Sequence, residues 1–268
     1  MKIKEITSKT ALSPSKLPGL DYALNPYSGC FHQCKYCYVP TVLHLPRATW
    51  GEIIFVKRNL PLVLAKELPR KKPGIIGIST VTDPYQVIEK KYKITRYCLE
   101  QLKKYEFPIQ IQTKSDLILR DIDVIKQCFQ PEIMISIGTI NDDHRKILEP
   151  HASSITKRIQ ILDELKNNQQ IKTSVFLGPL YPNMTGNDIK TLLDIFIEKK
   201  VTRIMIDTFH LKPGLQSYLR LILKKDKSLD QGFKKHVFSS SQWYEKTANK
   251  IKEYVSKKQG NISVINAF

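Results

Sequence analysis

The chain has 268 residues, of which 41% are hydrophobic and 25% charged, and these values are typical of a soluble globular protein with one sizeable core. No apolar run approaches the ~20 residues of a membrane span, and no export signal is visible, so we expect a cytoplasmic protein without membrane association. The net charge of +18 favours a polyanionic partner, with nucleic acid the first candidate; the alternative is a general surface charge.

The chain begins with a segment that has little hydrophobic periodicity. Residues 1–20 contain Ser, Thr, Lys and two prolines, which predicts a lead-in that runs over the surface. A short first strand is expected at residues 21–24. Three closely spaced cysteines follow it.

Cys30, Cys34 and Cys37 form a C-x3-C-x2-C run, whose short loops bring the sulfurs together at little entropic cost. Three thiolates leave one iron of a [4Fe–4S] cluster without a protein ligand, whereas a structural zinc site uses four ligands. The spacing therefore favours an iron–sulfur cluster with an open iron. The alternatives are a zinc site completed by His32 or His44, and unrelated thiols. A disulfide is not expected, because the five cysteines are an odd number.

Strands and helices alternate from residue 60 onward. Helices are predicted at residues 60–70, 89–105, 121–129, 153–168 and 187–200, and strands at residues 73–81, 108–115, 132–139, 171–182 and 203–211. Residues 52–57 are either an extra strand or an extended wrap. Such alternation requires parallel strands joined by right-handed crossover helices, which curl the sheet toward a barrel. About six units are present against eight in a full barrel, so the predicted fold class is α/β, a partial (β/α)6 TIM-like barrel.

Candidate site residues lie at or just beyond the C-terminal ends of the predicted strands, where barrel enzymes place their chemistry. They are Thr80, Thr82 and Asp83; Thr113, Lys114 and Ser115; Ser136 and Thr139; Gly178 and Tyr181; and Asp207, Thr208 and His210. Cys98 and Cys128 lie in predicted helices and are expected in the core. His144, His210 and His236 are candidates for proton handling or substrate contact, and a structural role is the alternative for each.

The last part of the chain is strongly basic, with twelve Lys and Arg against four Asp and Glu between residues 212 and 258. Interleaved aromatic residues make nucleic-acid contact one interpretation. The other is an amphipathic helix at residues 243–258 that closes the open side of the barrel with its lysines in water. The predicted domains are a lead-in (1–20), a core (21–213) and a basic helical extension packed on the barrel (214–268).

The motifs NPYSGC, YCY, TDPYQ, QTKS and LEP, together with the cysteine spacing, resemble the radical S-adenosylmethionine (radical SAM) superfamily. Within it they resemble the spore photoproduct lyase-like group, a DNA repair photolyase-like set. The resemblance covers about residues 20 to 215. It implies the same partial barrel, a [4Fe–4S] cluster on Cys30, Cys34 and Cys37, and S-adenosylmethionine (SAM) bound to the open iron.

The resemblance also implies which residues contact SAM. Thr82, Lys114, Ser136 and Gly178 match cofactor-contacting positions, and Asp83 in the same turn as Thr82 is suited to the SAM ammonium group. Glu149 and Arg158 are further candidates, because Arg binds carboxylates in a bidentate manner. For these two, a plain salt bridge on a helix is the alternative.

The implied reaction is reductive cleavage of SAM to a 5′-deoxyadenosyl radical that abstracts hydrogen from a substrate. Tyr36 and Tyr38 match tyrosines tied to a radical relay in the spore enzyme, and packing around the cluster loop is their alternative role. A reductase or ferredoxin-type protein is the expected electron donor. The substrate is predicted to be nucleic acid; the alternatives are a peptide or small metabolite, and a zinc-stabilised nucleic-acid-binding protein without catalysis.

One position departs from the spore enzyme, whose hydrogen-donating cysteine is matched here by Thr80. A hydroxyl O–H bond is too strong for that step. The resemblance therefore implies the cofactor chemistry but not thymine-dimer reversal by the same route.

Overall fold

Alternating strands and helices are present in the computed structural model, which describes residues 2–239, 242–258 and 261–268. Residue 1 of the predicted lead-in and residues 240, 241, 259 and 260 of the predicted extension lie outside the described residues. The strands are β1 (Lys2–Ile6), β2 (Leu12–Pro14), β3 (Tyr22–Leu24), β4 (Tyr27–Ser28), β5 (Ile53–Lys57), β6 (Ile76–Ile78), β7 (Ile109–Thr113), β8 (Glu132–Ser136), β9 (Lys172–Leu177), β10 (Arg203–Ile206) and β11 (Ser263–Asn266).

The α-helices, in chain order, are α1 (Val39–Val42), α2 (Leu60–Glu67), α3 (Glu89–Tyr92), α4 (Ile94–Leu102), α5 (Ile122–Ile125), α6 (Asp142–Leu148), α7 (Ile155–Leu165), α8 (Gly186–Glu198), α9 (Leu215–Leu223), α10 (Lys227–His236) and α11 (Trp243–Lys257). Short 3-10 helices lie at Arg47–Thr49, Leu68–Arg70 and Asp116–Asp121. Among the described helices, none is long and apolar enough to cross a membrane.

The chain divides into two compact units. The first contains residues 2–33, 43–134 and 168–172, and the second contains residues 34–42, 135–167 and 173–268. The predicted boundaries at residues 20 and 213 are a different division of the chain and stay a prediction.

In the first unit, β3, β6 and β7 are parallel neighbours, and β2 lies antiparallel to β3. Each residue of β6 is buried, which matches the continuous apolar run in the sequence. A separate sheet forms from β1, β5 and β4, in which β1 and β5 are parallel. Residues 52–57 are therefore largely a strand, and the lead-in contains two strands that were not predicted.

The second unit contains β9, β10 and β11 as parallel neighbours. Just after β8, the backbone N–H of Ile137 donates to the carbonyl of Phe176 in β9, at 2.9 Å. Helix α11 buries one face, formed by Tyr244, Ala248, Ile251 and Val255, so the predicted amphipathic helix is confirmed. Strand β11 was not predicted.

One predicted helix, residues 89–105, is two helices in the structure. Lys93 between α3 and α4 has a left-handed backbone with a φ of 52°. The buried carboxylate of Glu89 accepts hydrogen bonds from the N–H groups of Thr95 and Arg96, and thereby satisfies the first turn of α4. A buried acidic cap cannot be recognised from a hydrophobic stripe.

Candidate functional site: the cysteine loop and its supports

The cysteine loop, residues 29–38, follows β4 and leads into α1. Cys30, Cys34 and Cys37 are partly buried, and none of the five cysteines, all of which the structure describes, is in a disulfide. Two short turns shape the loop, in which the N–H of Gln33 donates to the Cys30 carbonyl and that of Cys37 donates to the Cys34 carbonyl. Cys98 and Cys128 are buried, as predicted for core residues.

Two glycines are required around Cys30. Gly29 has a φ of +87°, and a Cβ there would lie 2.6 Å from the carbonyl oxygen of Ile53. Gly51 has a φ of +81°, and its Cβ would lie 2.5 Å from the carbonyl oxygen of Cys30. A side chain at either position would combine backbone strain with a steric clash. The backbone around Cys30 is therefore packed so closely that only glycine fits at positions 29 and 51.

The Asp83 carboxylate is the centre of a buried hydrogen-bond cluster in the first unit. Its Oδ1 accepts from the Thr113 hydroxyl at 2.7 Å and the Tyr85 N–H at 2.9 Å. Its Oδ2 accepts from the Lys114 N–H at 2.9 Å and lies 3.3 Å from Nδ1 of His32. Burial raises the pKa of this carboxyl, but His32 and the hydrogen bonds from Lys114 and Thr113 outweigh burial and lower the pKa to about 2. Asp83 is therefore an anion at neutral pH.

Thr82 and Thr80 connect the TDP turn to the NPYSGC motif. The Thr82 hydroxyl donates to the Gly29 carbonyl at 2.6 Å. The Thr80 N–H donates to Oδ1 of Asn25 at 3.0 Å, and the Thr80 hydroxyl accepts from the amide of the same Asn25 at 3.3 Å. The two motifs, far apart in sequence, are thus directly hydrogen-bonded. Lys114 follows β7, and its side chain is partly exposed.

In the second unit, Tyr36 lies in a buried network with Glu149 and Arg158. The Tyr36 hydroxyl donates to Oε1 of Glu149, and Arg158 donates to Oε2 of Glu149 at 2.5 Å. Arg158 is fully buried and also donates to the carbonyls of Ser153 and Ser136, each at 2.9 Å. The pair is therefore more than a salt bridge along a helix: it holds Tyr36 of the cysteine loop and the carbonyl of Ser136.

Tyr36 is held as a neutral phenol in this network. Burial and the neighbouring Glu149 raise its pKa well above the usual value for tyrosine. Its ring packs edge-on against Phe209, with centroids 5.2 Å apart. The backbone N–H of Lys35 also donates to the Leu148 carbonyl at 2.8 Å, so the loop has both a backbone and a side-chain anchor here.

Tyr38 lies beside a histidine–aspartate pair. Its ring centroid is 6.4 Å from that of His210, and Nε2 of His210 is 2.9 Å from the carboxylate of Asp207. The hydrogen bond to Asp207 raises the pKa of His210, although burial opposes it. Gly178 packs against the same segment, since a Cβ there would lie 2.8 Å from the Asp207 Cβ. The peptide bond between Gly178 and Pro179 is cis.

The structure thus groups most of the predicted site residues. In the first unit, Asp83 accepts from the backbone N–H of Lys114, and Thr82 bonds to Gly29 and Gln86. In the second unit, Tyr36, Glu149, Arg158 and the carbonyl of Ser136 share one network. Neither Asn25 nor Gln86 was predicted as a site residue, yet Asn25 bonds to Thr80 and Gln86 bonds to Phe31 of the cysteine loop. Each lies inside a motif that was singled out, but its partners are more than fifty residues away in sequence.

His32 and His44 were considered as fourth zinc ligands. His32 is buried against Asp83, and His44 is exposed. Over residues 2–239, 242–258 and 261–268, no group of three or more His, Cys, Asp and Glu side chains is arranged to hold a metal ion.

Comparison with known proteins gives the family. The family model of the radical SAM superfamily matches residues 24–196. The chain is 37% identical over 186 residues to an uncharacterised protein of Methanocaldococcus jannaschii. The matched region covers 69% of this chain and 70% of that protein. It is 26% identical over 253 residues to an uncharacterised protein of Acidianus two-tailed virus, covering 84% and 83% of the two chains.

Solved structures show the fold. A cysteine-to-serine mutant of spore photoproduct lyase matches with a TM-score of 0.76 and 14% identity, over 99% of this chain and 82% of that one. Spore photoproduct lyase complexed with dinucleoside spore photoproduct matches with a TM-score of 0.73 and 15% identity, over the same shares. At this identity the likeness concerns the fold alone, and it confirms the predicted α/β fold class of the radical SAM type.

The family match includes the cysteine loop, the Asp83 cluster and the Glu149–Arg158 pair. The family implies an enzyme that uses SAM and an iron–sulfur cluster. The motif spacing, the fold and the family model agree: this chain belongs to the radical SAM superfamily.

Proposed function

We propose that this chain is a radical SAM enzyme in which Cys30, Cys34 and Cys37 bind a [4Fe–4S] cluster with one iron left for SAM. The observation that carries the proposal is the C-x3-C-x2-C run, whose thiols are partly buried and in no disulfide. Thiolates are the ligands that iron–sulfur clusters use, so the three cysteines, all of which the structure describes, fit the group by donor type, although their side chains are not gathered around a single metal ion. When bound and reduced by a one-electron donor of the ferredoxin or reductase type, the cluster supplies the electron that cleaves SAM to a 5′-deoxyadenosyl radical, which abstracts a substrate hydrogen.

The role of the protein's own residues is to bind and orient SAM. Thr82, Asp83, Lys114, Ser136 and Gly178 are the proposed SAM-contacting positions, and Asp83, as an anion, suits the SAM ammonium group. Arg158 and Glu149 are proposed to position the SAM-contacting residues rather than to touch SAM. Arg158 is fully buried and donates to the carbonyls of Ser136 and Ser153.

Tyr36 and Tyr38 remain candidates for a radical relay. Tyr36 is fixed by Glu149, while Tyr38 lies near His210. Changing each tyrosine to phenylalanine separates the roles. A relay residue would lower product formation while cluster content and uncoupled SAM cleavage stay unchanged; a packing residue would lower all three together.

We further propose that the substrate is a nucleic acid. Exposed lysines lie on α10 and α11 and on the link between α9 and α10; they include Lys224, Lys225, Lys227, Lys235, Lys246 and Lys250. Arg220 lies over the Phe238 ring at 4.5 Å, and His236 stacks on Trp243 with centroids 5.0 Å apart. A cation beside an aromatic face, as at Arg220, suits phosphates and bases. The matched spore photoproduct lyase is complexed with a dinucleoside spore photoproduct, which is consistent with this class.

The reaction on that substrate is proposed to differ from the reversal of a thymine dimer by a cysteine hydrogen donor. Thr80 stands at the donor position, and its hydroxyl is hydrogen-bonded to Asn25. A hydroxyl cannot replace a thiol in that step because its O–H bond is far stronger.

The cofactor proposal is tested by anaerobic reconstitution followed by measurement of 5′-deoxyadenosine. We expect reductant-dependent release in the wild-type protein and none in Cys34→Ala. Colourless protein with one bound zinc would contradict the proposal and favour the zinc alternative.

The substrate proposal is tested separately, by binding of labelled DNA and RNA over a range of salt concentrations. We expect binding that weakens steeply with salt. The double variant Lys246→Glu/Lys250→Glu should bind more weakly than Lys104→Glu/Lys126→Glu, which makes the same charge change on exposed positions of the first unit. Equal loss in both variants would indicate general charge rather than an interface on α11. No binding at low salt would contradict the substrate class, and stimulation of SAM cleavage by peptide pools alone would favour a peptide.

A further inference from the structure

Gln86 is a fully buried glutamine that no part of the proposed chemistry uses. It belongs to the TDPYQ motif, three residues beyond Asp83, in the first unit. A buried side-chain amide needs partners for its oxygen and its nitrogen, since an unsatisfied amide is costly in the protein interior. Two of the three hydrogen-bond partners of the Gln86 amide, Gly29 and Phe31, are on the cysteine loop.

The two ends of the Gln86 amide bind the two peptide groups that flank Cys30. Its Oε1 accepts from the Phe31 N–H at 2.8 Å, which belongs to the peptide after Cys30. Its Nε2 donates to the Gly29 carbonyl at 3.2 Å, which belongs to the peptide before Cys30. One side chain therefore fixes both peptide planes beside a single cysteine.

Neighbouring residues complete the arrangement. The Thr82 hydroxyl donates to the same Gly29 carbonyl at 2.6 Å and accepts from Nε2 of Gln86 at 3.0 Å. On the other side, the Cys30 carbonyl accepts from the N–H of Gln33 and is closely approached by Gly51. The carbonyl of Gly29 thus accepts two hydrogen bonds, one from Thr82 and one from Gln86, and both hold the orientation of its peptide group.

This arrangement has a direct stereochemical consequence. A peptide group is planar, so the planes on either side of a residue determine its φ and ψ angles and the direction of its Cα–Cβ bond. For Cys30, the only remaining freedom of the sulfur is rotation about χ1, which has three staggered wells. Gln86 therefore limits where the thiolate can be before any iron arrives.

We propose that Gln86 is a positioning residue that presets the thiolate of Cys30 for the iron–sulfur cluster. The inference rests on the proposed function, because it assigns Gln86 a purpose only if Cys30 is a cluster ligand. Gln86 acts through the backbone and contacts no reacting group. Preorganised ligands lower the ordering cost of metal binding, so the cluster should be held more tightly with Gln86 than without it.

The test compares Gln86→Met with Gln86→Glu. Methionine has nearly the same length and removes the three hydrogen bonds to Phe31, Gly29 and Thr82. Glutamate keeps an acceptor for the Phe31 N–H but has no donor for the Gly29 carbonyl. The control is Leu99→Ala, a fully buried position in α4 of the same unit, which lowers stability by making a cavity.

The first readout is amide hydrogen exchange of the metal-free full-length protein, measured on fragments that contain Phe31. We expect exchange at Phe31 to be about tenfold faster in Gln86→Met than in wild type, near wild type in Gln86→Glu, and unchanged relative to the rest of the unit in Leu99→Ala. Equal exchange at Phe31 in Gln86→Met and Leu99→Ala would overturn the proposal.

The second readout uses the reconstituted protein. We expect Gln86→Met to lose iron to a chelator several-fold faster than Leu99→Ala and to show an altered electron paramagnetic resonance spectrum after reduction. A spectrum and a rate of iron loss equal to those of Leu99→Ala would overturn the proposal. Failure of the wild-type protein to bind iron would instead overturn the proposed function, while the exchange data would still decide whether Gln86 fixes the two peptides.

Discussion

The buried pair of Arg158 and Glu149 gives the sharpest prediction for stability. Arg158 is 0% exposed and Glu149 is 1% exposed, so neither charge is solvated by water. Replacing Arg158 with methionine leaves the buried Glu149 carboxylate without its charged partner, while the Tyr36 hydroxyl still donates to it. Breaking such a buried pair typically costs about 3–5 kcal/mol of unfolding free energy. We expect a loss of this size for Arg158→Met.

The matching double variant separates the cost of an unpaired charge from the worth of the pair. Arg158→Met combined with Glu149→Leu removes both charges and should recover much of the stability, since a buried pair is often replaceable by apolar groups. The carbonyls of Ser136 and Ser153 still lose donors, so recovery should be incomplete. The two changes are expected to be strongly non-additive.

The assay is urea unfolding of the metal-free protein followed by tryptophan fluorescence. The chain has two tryptophans, and Trp50→Phe leaves Trp243, in the second unit, as the reporter. All variants are made in this background. A loss below about 1 kcal/mol in Arg158→Met, or additive losses in the double variant, would refute the reasoning because exposed pairs behave in that way.

Three further predictions concern the cysteine loop and its surroundings. Gly51→Ala should lose about 1–3 kcal/mol more than Gly19→Ala on unfolding by urea, because both have positive φ but only Gly51 lacks space for a Cβ; equal losses would contradict this. In a titration by nuclear magnetic resonance, the pKa of His210 should lie above 6.5, and it should fall toward 6.5 in Asp207→Asn. The stability that the His210–Asp207 pair adds to the fold is present below pH 6.5 and is lost as the pH rises through the raised pKa of His210. An unchanged His210 pKa in the variant would contradict the pairing. In native metal-free protein, an alkylating reagent should modify the cysteine loop much faster than Cys98, whose thiol pKa is raised by burial; equal rates would contradict the burial.

The elements that the sequence predicted well have local signals. The apolar run at β6 and the stripe of α11 follow periodicities that need no knowledge of partners. Helix α8 is also marked locally, by the capping box in which Thr185 and Asp188 bond to each other's backbone N–H groups.

The elements that were missed depend on distant partners or lack an apolar stripe. Strand β1 is mostly exposed, and it is a strand because it pairs with β5 fifty residues later. Helix α6 is rich in charge, and it begins where the side chain of Asn141 accepts the N–H groups of Asp143 and His144. Neither pattern has the periodicity on which prediction relies.

The candidate site shows the same division. Residue types at motif positions, such as Cys30 and Asp83, could be identified from the sequence because their chemistry is specific. Supporting contacts could not: Asn25 bonds to Thr80, and Gln86 to Phe31, across more than fifty residues. Arg158 was expected to contact SAM or to form a simple salt bridge, and its burial against Ser136 emerges only from the fold.

The central claim is that one iron of a cluster held by three cysteines is open to SAM, and spectroscopy of that iron tests it most directly. The reconstituted, reduced protein should give a [4Fe–4S]⁺ electron paramagnetic resonance signal that changes when SAM is added. With SAM carrying 17O in its carboxylate, the signal should show hyperfine coupling to the label. The absence of the signal, or a signal that neither changes on addition of SAM nor shows coupling to the 17O label, would contradict the account.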